Sequence, residues 1–116
     1  MEASRDRVIA EVGSWEGVAV APHRFGGTEF RLGGREIGHI HTEGIADLPF
    51  TRRVRDMLIE TGRAHVHRIL PDSGWVERRL ATDDDATEVI ELFRLSYERA
   101  QVANAVRAKR EAERPG

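Results

Sequence analysis

Phe30-Arg31-Leu32-Gly33-Gly34-Arg35-Glu36-Ile37-Gly38-His39-Ile40-His41 is the stretch whose reading sets the fold. A Gly-Gly pair between two runs of alternating apolar and polar residues marks a tight two-residue β-hairpin. Such a turn fixes the register, so that Leu32 faces Arg35, Arg31 faces Glu36 and Phe30 faces Ile37. Arg31 and Glu36 then form an opposite-charge pair on one face of the hairpin, and Phe30, Leu32 and Ile37 an apolar cluster on the other. Because strand side chains alternate, His39 and His41 are expected to follow Ile37 onto the apolar face, toward the core.

Outward from this hairpin, Gly17 to Ile40 reads as a three-stranded meander, rich in β-branched and aromatic residues and punctuated by Gly26-Gly27 and Gly33-Gly34. Before it, Val8, Ile9 and Val12 recur at helical spacing over Ser4 to Val12, with Gly13 placed to end the helix. After it, Phe50, Val54, Met57 and Leu58 mark a second helix between a Thr51 cap and a Gly62 stop. Ala64 to Leu70 and Trp75 to Leu80 flank the turn residues Pro71-Asp72-Ser73-Gly74 and predict a second hairpin. A four-residue loop there sets Ile69 against Val76, Arg68 against Glu77 and His67 against Arg78. That register turns His65 and His67 to the same covered face as His39 and His41; a slip of one residue would turn them outward. The last helix opens at Thr82-x-x-Asp85, with three aspartates in its first turn and Ala86, Val89, Ile90, Phe93, Tyr97 and Ala100 along its buried stripe. The order α-β-β-β-α-β-β-α predicts an α+β domain over residues 1–106, with an antiparallel sheet of about five strands and helices mainly on one face. Residues 107–116 read as a polar tail.

The composition narrows the function classes. The 116 residues include no cysteine, which excludes disulfides, thiolate metal sites and a cysteine nucleophile. With 20 acidic and 18 basic side chains the net charge is −2, which speaks against a nucleic-acid partner. No apolar run is long enough to cross a bilayer, and a cytoplasmic protein without a membrane partner is expected. Of the five histidines, His23 falls in a loop and the other four on strands. His-x-His on a strand sets two imidazoles roughly 6 to 7 Å apart on one face. That pair can share a metal if His67 or Asp47 supplies a third ligand. Without a metal, neutral imidazoles can serve as general base or donor toward a phenol, enol or carbonyl, because their pKa lies near working pH. They can also be core residues bonded to nearby backbone. Asp47 suits either an imidazole partner or a turn cap before the second helix, Trp75 a pocket wall or core cover, and Ser73 a turn residue more than a nucleophile. Arg52, Arg53 and Arg55 read as a solvated face paired with Asp56 and Glu60.

Four blocks carry a resemblance: Pro22 to Phe30, Glu36-Ile37-Gly38-His39-Ile40-His41, Ala46-Asp47-Leu48-Pro49-Phe50 and Leu70-Pro71-Asp72-Ser73-Gly74-Trp75-Val76. Together with Leu92 to Tyr97 they resemble the luciferase-like domain, a family of short bacterial proteins more distantly similar to the fungal luciferases, which oxidise a hydroxylated pyrone with molecular oxygen. His39, His41, Asp47, His67 and Trp75 fall in or beside the matching blocks, whereas His65 and Glu77-Arg78-Arg79 depart from the pattern. The resemblance implies a histidine-lined pocket for a small aromatic or enolic ligand. The expected chemistry is an oxygen-dependent oxidation without cofactor or metal, of monooxygenase or dioxygenase type. His39, His41 and His67 are the expected catalytic residues, and Asp47, Trp75 and Arg78 the expected ligand contacts. A non-catalytic interaction module with structural histidines is the alternative.

Overall fold

The computed structural model describes residues 2–23 and 26–115. Its elements run α1 (Glu2–Gly13), β1 (Val18–Pro22), β2 (Thr28–Leu32), β3 (Arg35–Ile40), β4 (Ile45–Pro49), α2 (Arg52–Glu60), β5 (His65–Val66), β6 (Trp75–Arg79) and α3 (Asp83–Ala112). The architecture is α+β. Six strands form one antiparallel sheet in the order β1-β2-β3-β4-β6-β5.

The strand missing from the sequence expectation is β4. Ala46, Asp47 and Leu48 are all buried, so the segment shows none of the alternation that advertises a half-buried strand. Asp47 and Pro49 are also residue types depleted from strands, and Pro49 is tolerated because it ends this one. Asp47 is thus a central-strand residue paired with His39 and Glu77, and not a turn cap.

The Gly33-Gly34 hairpin forms with Leu32 opposite Arg35 and Arg31 opposite Glu36 as expected, both glycines adopting positive φ of 58° and 82°. One residue later the ladder slips: Phe30 pairs with Gly38, and Ile37 is the extra residue of a β-bulge. This shift changes which face every later residue of β3 occupies. Gly38 and Ile40 now look toward α3, and a Cβ built on Gly38 would sit 2.6 Å from the Phe93 ring. Phe30, Ile40, Ala46, Leu48 and Val76 share that face and are fully buried, with Phe30 and Phe93 meeting edge to face at 5.0 Å between ring centres. His39 therefore lies on the other face, opposite to the expectation. The anticipated Arg31–Glu36 pair is replaced as well: Arg31 bonds Glu29 at 2.9 Å, and Glu36 turns to His39.

The second hairpin is shorter than expected and its register is three residues off, so that the expected Ile69–Val76, Arg68–Glu77 and His67–Arg78 ladder pairs do not form. β5 ends at Val66, where His65 pairs with Glu77 and Val66 with Val76. Its continuation is stopped by chemistry: the His67 Nδ1 accepts the backbone N–H groups of Ile69 and Leu70, which would otherwise serve a ladder. Residues 67–74 form a loop tied to α2 by Arg55, which donates to the carbonyls of Pro71 and Ser73. Ser73 is the turn residue expected, its Oγ donating to the Leu70 carbonyl and accepting the Trp75 N–H. Caps fall where anticipated: Thr51 accepts the Val54 N–H, and Thr82 and Asp85 make a reciprocal capping box. α3 is helical through 107–112, residues read as tail from the sequence. Among the described residues no helix is long and apolar enough to cross a membrane.

Candidate functional site

Antiparallel pairing sets one lateral row of side chains across the face away from α3: Glu29, His39, Asp47, Glu77 and His65, on β2, β3, β4, β6 and β5 respectively. Trp75, two residues before Glu77, stands on the same face, and His41 follows His39 just beyond β3. At the centre of the row the Asp47 side chain is only 2% exposed. Three imidazoles converge on its Oδ2: His41 Nε2 at 2.7 Å, His67 Nε2 at 3.1 Å and His39 Nε2 at 3.2 Å. The Arg68 guanidinium takes Oδ1 at 3.1 Å and bridges to Glu77 at 3.0 Å. Trp75 stands beside His39 and His67, with ring centres 5.4 and 6.2 Å away.

Each histidine has a different status, set by its second ring nitrogen. The His39 Nδ1 lies 2.5 Å from Glu36 Oε2, so this ring is held between two carboxylates. Burial works against its charged form, but the hydrogen bonds to Asp47 and Glu36 outweigh burial and raise its pKa from 6.5 to about 9. His67 is the reverse case. Its Nδ1 accepts two backbone N–H groups, so its Nε2 carries the proton and donates to Asp47. The His41 Nδ1 faces outward, 3.7 Å from the exposed Glu43 carboxylate. Burial alone would raise the pKa of Asp47; the hydrogen bonds from His39, Arg68, His41 and His67 instead hold it well below the ordinary carboxylate range. Arg68 is held charged, first by Asp47.

His39, His41, His67, Asp47 and Trp75 are thus brought together, as the sequence reading anticipated, though on the opposite face of the sheet. Arg78 is not. It pairs with Ala46 in the ladder and therefore points to the α3 side, where it bonds the Arg63 carbonyl at 3.0 Å and Asp85 at 3.1 Å. Its work is to fasten the start of α3. Four members of the site were missed. His23 stacks on His39 at 4.1 Å between ring centres and meets His41 edge-on at 5.8 Å. Glu36 was assigned to Arg31, and Arg68 and Glu77 were read only as an outer charge pair. The one usable signal was that Arg68–Glu77 pairing, which the structure retains although the ladder does not reach it. The rings are packed against one another: four surface hollows have none of these histidines in their walls, and one of them, a cleft of about 290 Å³ between Arg35, Glu36, Pro49, Phe50, Ser96 and Arg99, reaches the site only at Glu36.

The family model described as the Luciferase domain matches residues 34–96, from the glycine turn of the β2–β3 hairpin into α3. The chain belongs to the Luciferase domain family. The matched region of this Luciferase domain contains His39, His41, Asp47, His67, Arg68 and Trp75, while His23 lies before it. No curated protein and no solved structure matches the chain.

Proposed function

We propose that this Luciferase domain is an enzyme that oxidises a small enolic or aromatic molecule with molecular oxygen at the Asp47 centre. The observation that carries the reading is the convergence of three imidazoles and one guanidinium on a single buried carboxylate, in a chain of a family named for an oxidation. Several titratable side chains coupled through one buried carboxylate are a pattern that clusters at reaction centres, and this supports the reading.

Of the side chains on Asp47, Arg68 and His41 are the more exposed, at 34% and 16%, and they would meet the substrate. Positive charge beside an enol oxygen stabilises the enolate, so that the enol ionises nearer neutral pH and its proton leaves to water. The electron-rich carbon of the enolate then transfers electrons to oxygen, a carbon–oxygen bond forms, and one proton returns to give a hydroperoxide. His39 and His67, bound on both nitrogens, position Asp47 and His41. Trp75 supplies an aromatic wall beside them.

The test is oxygen uptake with a panel of hydroxypyrones and related enols. Turnover that falls at least about 100-fold in His41→Ala or Arg68→Ala and is unchanged in His65→Ala supports the reading. Absence of uptake with the whole panel, or full activity in both variants, would overturn it in favour of an interaction module.

A further inference from the structure

We infer that His39, His41 and Asp47 form the ligand set of a divalent first-row transition ion, held by two imidazole nitrogens and one carboxylate oxygen. The inference deepens the oxidation reading above by naming what the Asp47 centre binds. It departs from the metal-free expectation drawn from the sequence, and it stands on four observations of geometry.

The first is the crowding of one atom. A carboxylate oxygen offers about two lone-pair directions. Asp47 Oδ2 is approached by three ring nitrogens between 2.7 and 3.2 Å, while Oδ1 receives only Arg68 within 3.1 Å. Three ring nitrogens and a second Arg68 nitrogen at 3.5 Å are more partners than those directions accommodate, whereas ligands placed about 2.1 Å from a shared ion stand about 3 to 3.4 Å from one another. The spacing at Oδ2 is that of neighbouring corners in a coordination sphere. The ligand atoms of His39, His41 and Asp47 all lie within 4.8 Å of each other.

The second is His67. Because its Nδ1 accepts the Ile69 and Leu70 N–H groups, its Nε2 has a proton and no lone pair to give. It is an outer donor to Asp47 and not a ligand, which reduces the three imidazoles to two. The third is Glu36. An imidazole that binds a metal through Nε2 commonly donates Nδ1–H to a carboxylate, which fixes its ring and tautomer. Glu36 is placed for that bond on His39 at 2.5 Å, and Glu43 lies 3.7 Å from the same nitrogen of His41. The fourth is the balance of partners once an ion is admitted. Oδ2 then serves the ion and His67, Arg68 spans Oδ1 at 3.1 Å and Oδ2 at 3.5 Å, and both ligand imidazoles direct lone pairs inward, the outer nitrogen of His39 meeting Glu36 and that of His41 facing outward near Glu43.

Two imidazoles and one carboxylate favour iron, manganese, cobalt or zinc over calcium or magnesium, and such a three-residue set leaves positions open for a substrate oxygen. The sequence carries this as His-x-His on β3 with Asp47 eight residues after His39. The bulge at Ile37 matters here, because without it His39 and Asp47 would stand on opposite faces of the sheet.

The experiment uses the full chain after chelator treatment, titrated by calorimetry with zinc and followed by visible absorption with cobalt. Binding of one equivalent is expected, with cobalt bands of nitrogen and oxygen coordination. His41→Ala and Asp47→Ala should each lose at least about 100-fold in affinity, and Glu36→Gln about 10- to 100-fold as an outer partner. His65→Ala should lose nothing. If a variant fails to fold, the unaltered chain still decides, because nitrogen-15 spectra should show zinc moving the Nε2 signals of His39 and His41 while His67 keeps its Nε2 proton. No stoichiometric binding at micromolar protein, equal affinity in folded His41→Ala, or a zinc response confined to His65 would each overturn the assignment. Enol oxidation by a chain that binds no metal would overturn this inference and leave the oxidation reading standing. One equivalent of bound metal without enol oxidation would do the opposite.

Discussion

At the scale of single residues, His39 links the stability of the fold to pH. In the chelator-treated chain His39 keeps its proton more tightly folded than unfolded, with its pKa raised from 6.5 to about 9. A group of this kind stabilises fully below its unfolded pKa, and the contribution disappears as the pH rises through the folded value. Urea midpoints of that chain should therefore fall between about pH 6.5 and about pH 9, by on the order of 2–3 kcal/mol in unfolding free energy. His39→Gln should flatten this decline; a flat profile in the unaltered chain would show that His39 is not held protonated between Glu36 and Asp47. Gly38 makes a second prediction. Its φ of 150° and a virtual Cβ 2.6 Å from Phe93 leave no room for a methyl group. Gly38→Ala should cost about 1–3 kcal/mol, read from the same urea curves.

At the scale of elements, the start of α3 shows how one residue can serve two purposes. Asp85 accepts the backbone N–H groups of Ala81 and Thr82 and also binds Arg78. The Ala81 N–H, with lesser help from Arg78 and Thr82, holds its carboxyl below the ordinary value. Its contribution is present above the unfolded carboxylate pKa and fades as the pH falls through the folded one. Thr82→Ala removes one half of the capping box and should lower stability by about 1 kcal/mol at neutral pH. A thermal unfolding series of Thr82→Ala and Asp85→Asn would check this, and Asp85→Asn should be the more harmful because it also strands Arg78. The caps were legible from sequence, since Thr51, Thr82 and Asp85 act on residues three positions away and need no distant partner. β4 was not legible. Its buried run has no alternation to read, and its pairing partners lie on strands both before and after it.

At the scale of the whole molecule, one core joins α1, α2, α3 and the covered face of the sheet, and Phe93 is fully buried in it. Phe93→Ala should cost about 3–5 kcal/mol, since it opens a cavity among Phe30, Gly38 and their neighbours. The far end of α3 is different. Val102 and Val106 are 66% and 44% exposed, and Asn104, which bonds the Leu32 carbonyl, is the last α3 residue tied by a hydrogen bond to the sheet among the described residues. Ending the chain after Ala108 should shift the urea midpoint by less than about 0.5 kcal/mol equivalent. A larger loss would mean that residues 109–116 contribute to the fold.

What the sequence by itself determined is local: helices from their apolar period and caps, the first hairpin turn from Gly-Gly, the Ser73 turn from Pro-Asp-Ser-Gly, and the likeness of short blocks to a family. Each of these depends on residues a few positions apart. Which face the histidines occupy is not local, because one extra residue at Ile37 inverts the rest of β3, and Gly38, the one local sign of a bulge, signals a close backbone approach equally well. It is packing that selects it: Gly38 is the position in β3 where the sheet can approach the Phe93 ring, 55 residues further along the chain. His39, His41 and His67 meet at one carboxylate, on the face opposite to the one expected. Their shared carboxylate became visible only when β4, the strand without a pattern, was set between β3 and β6.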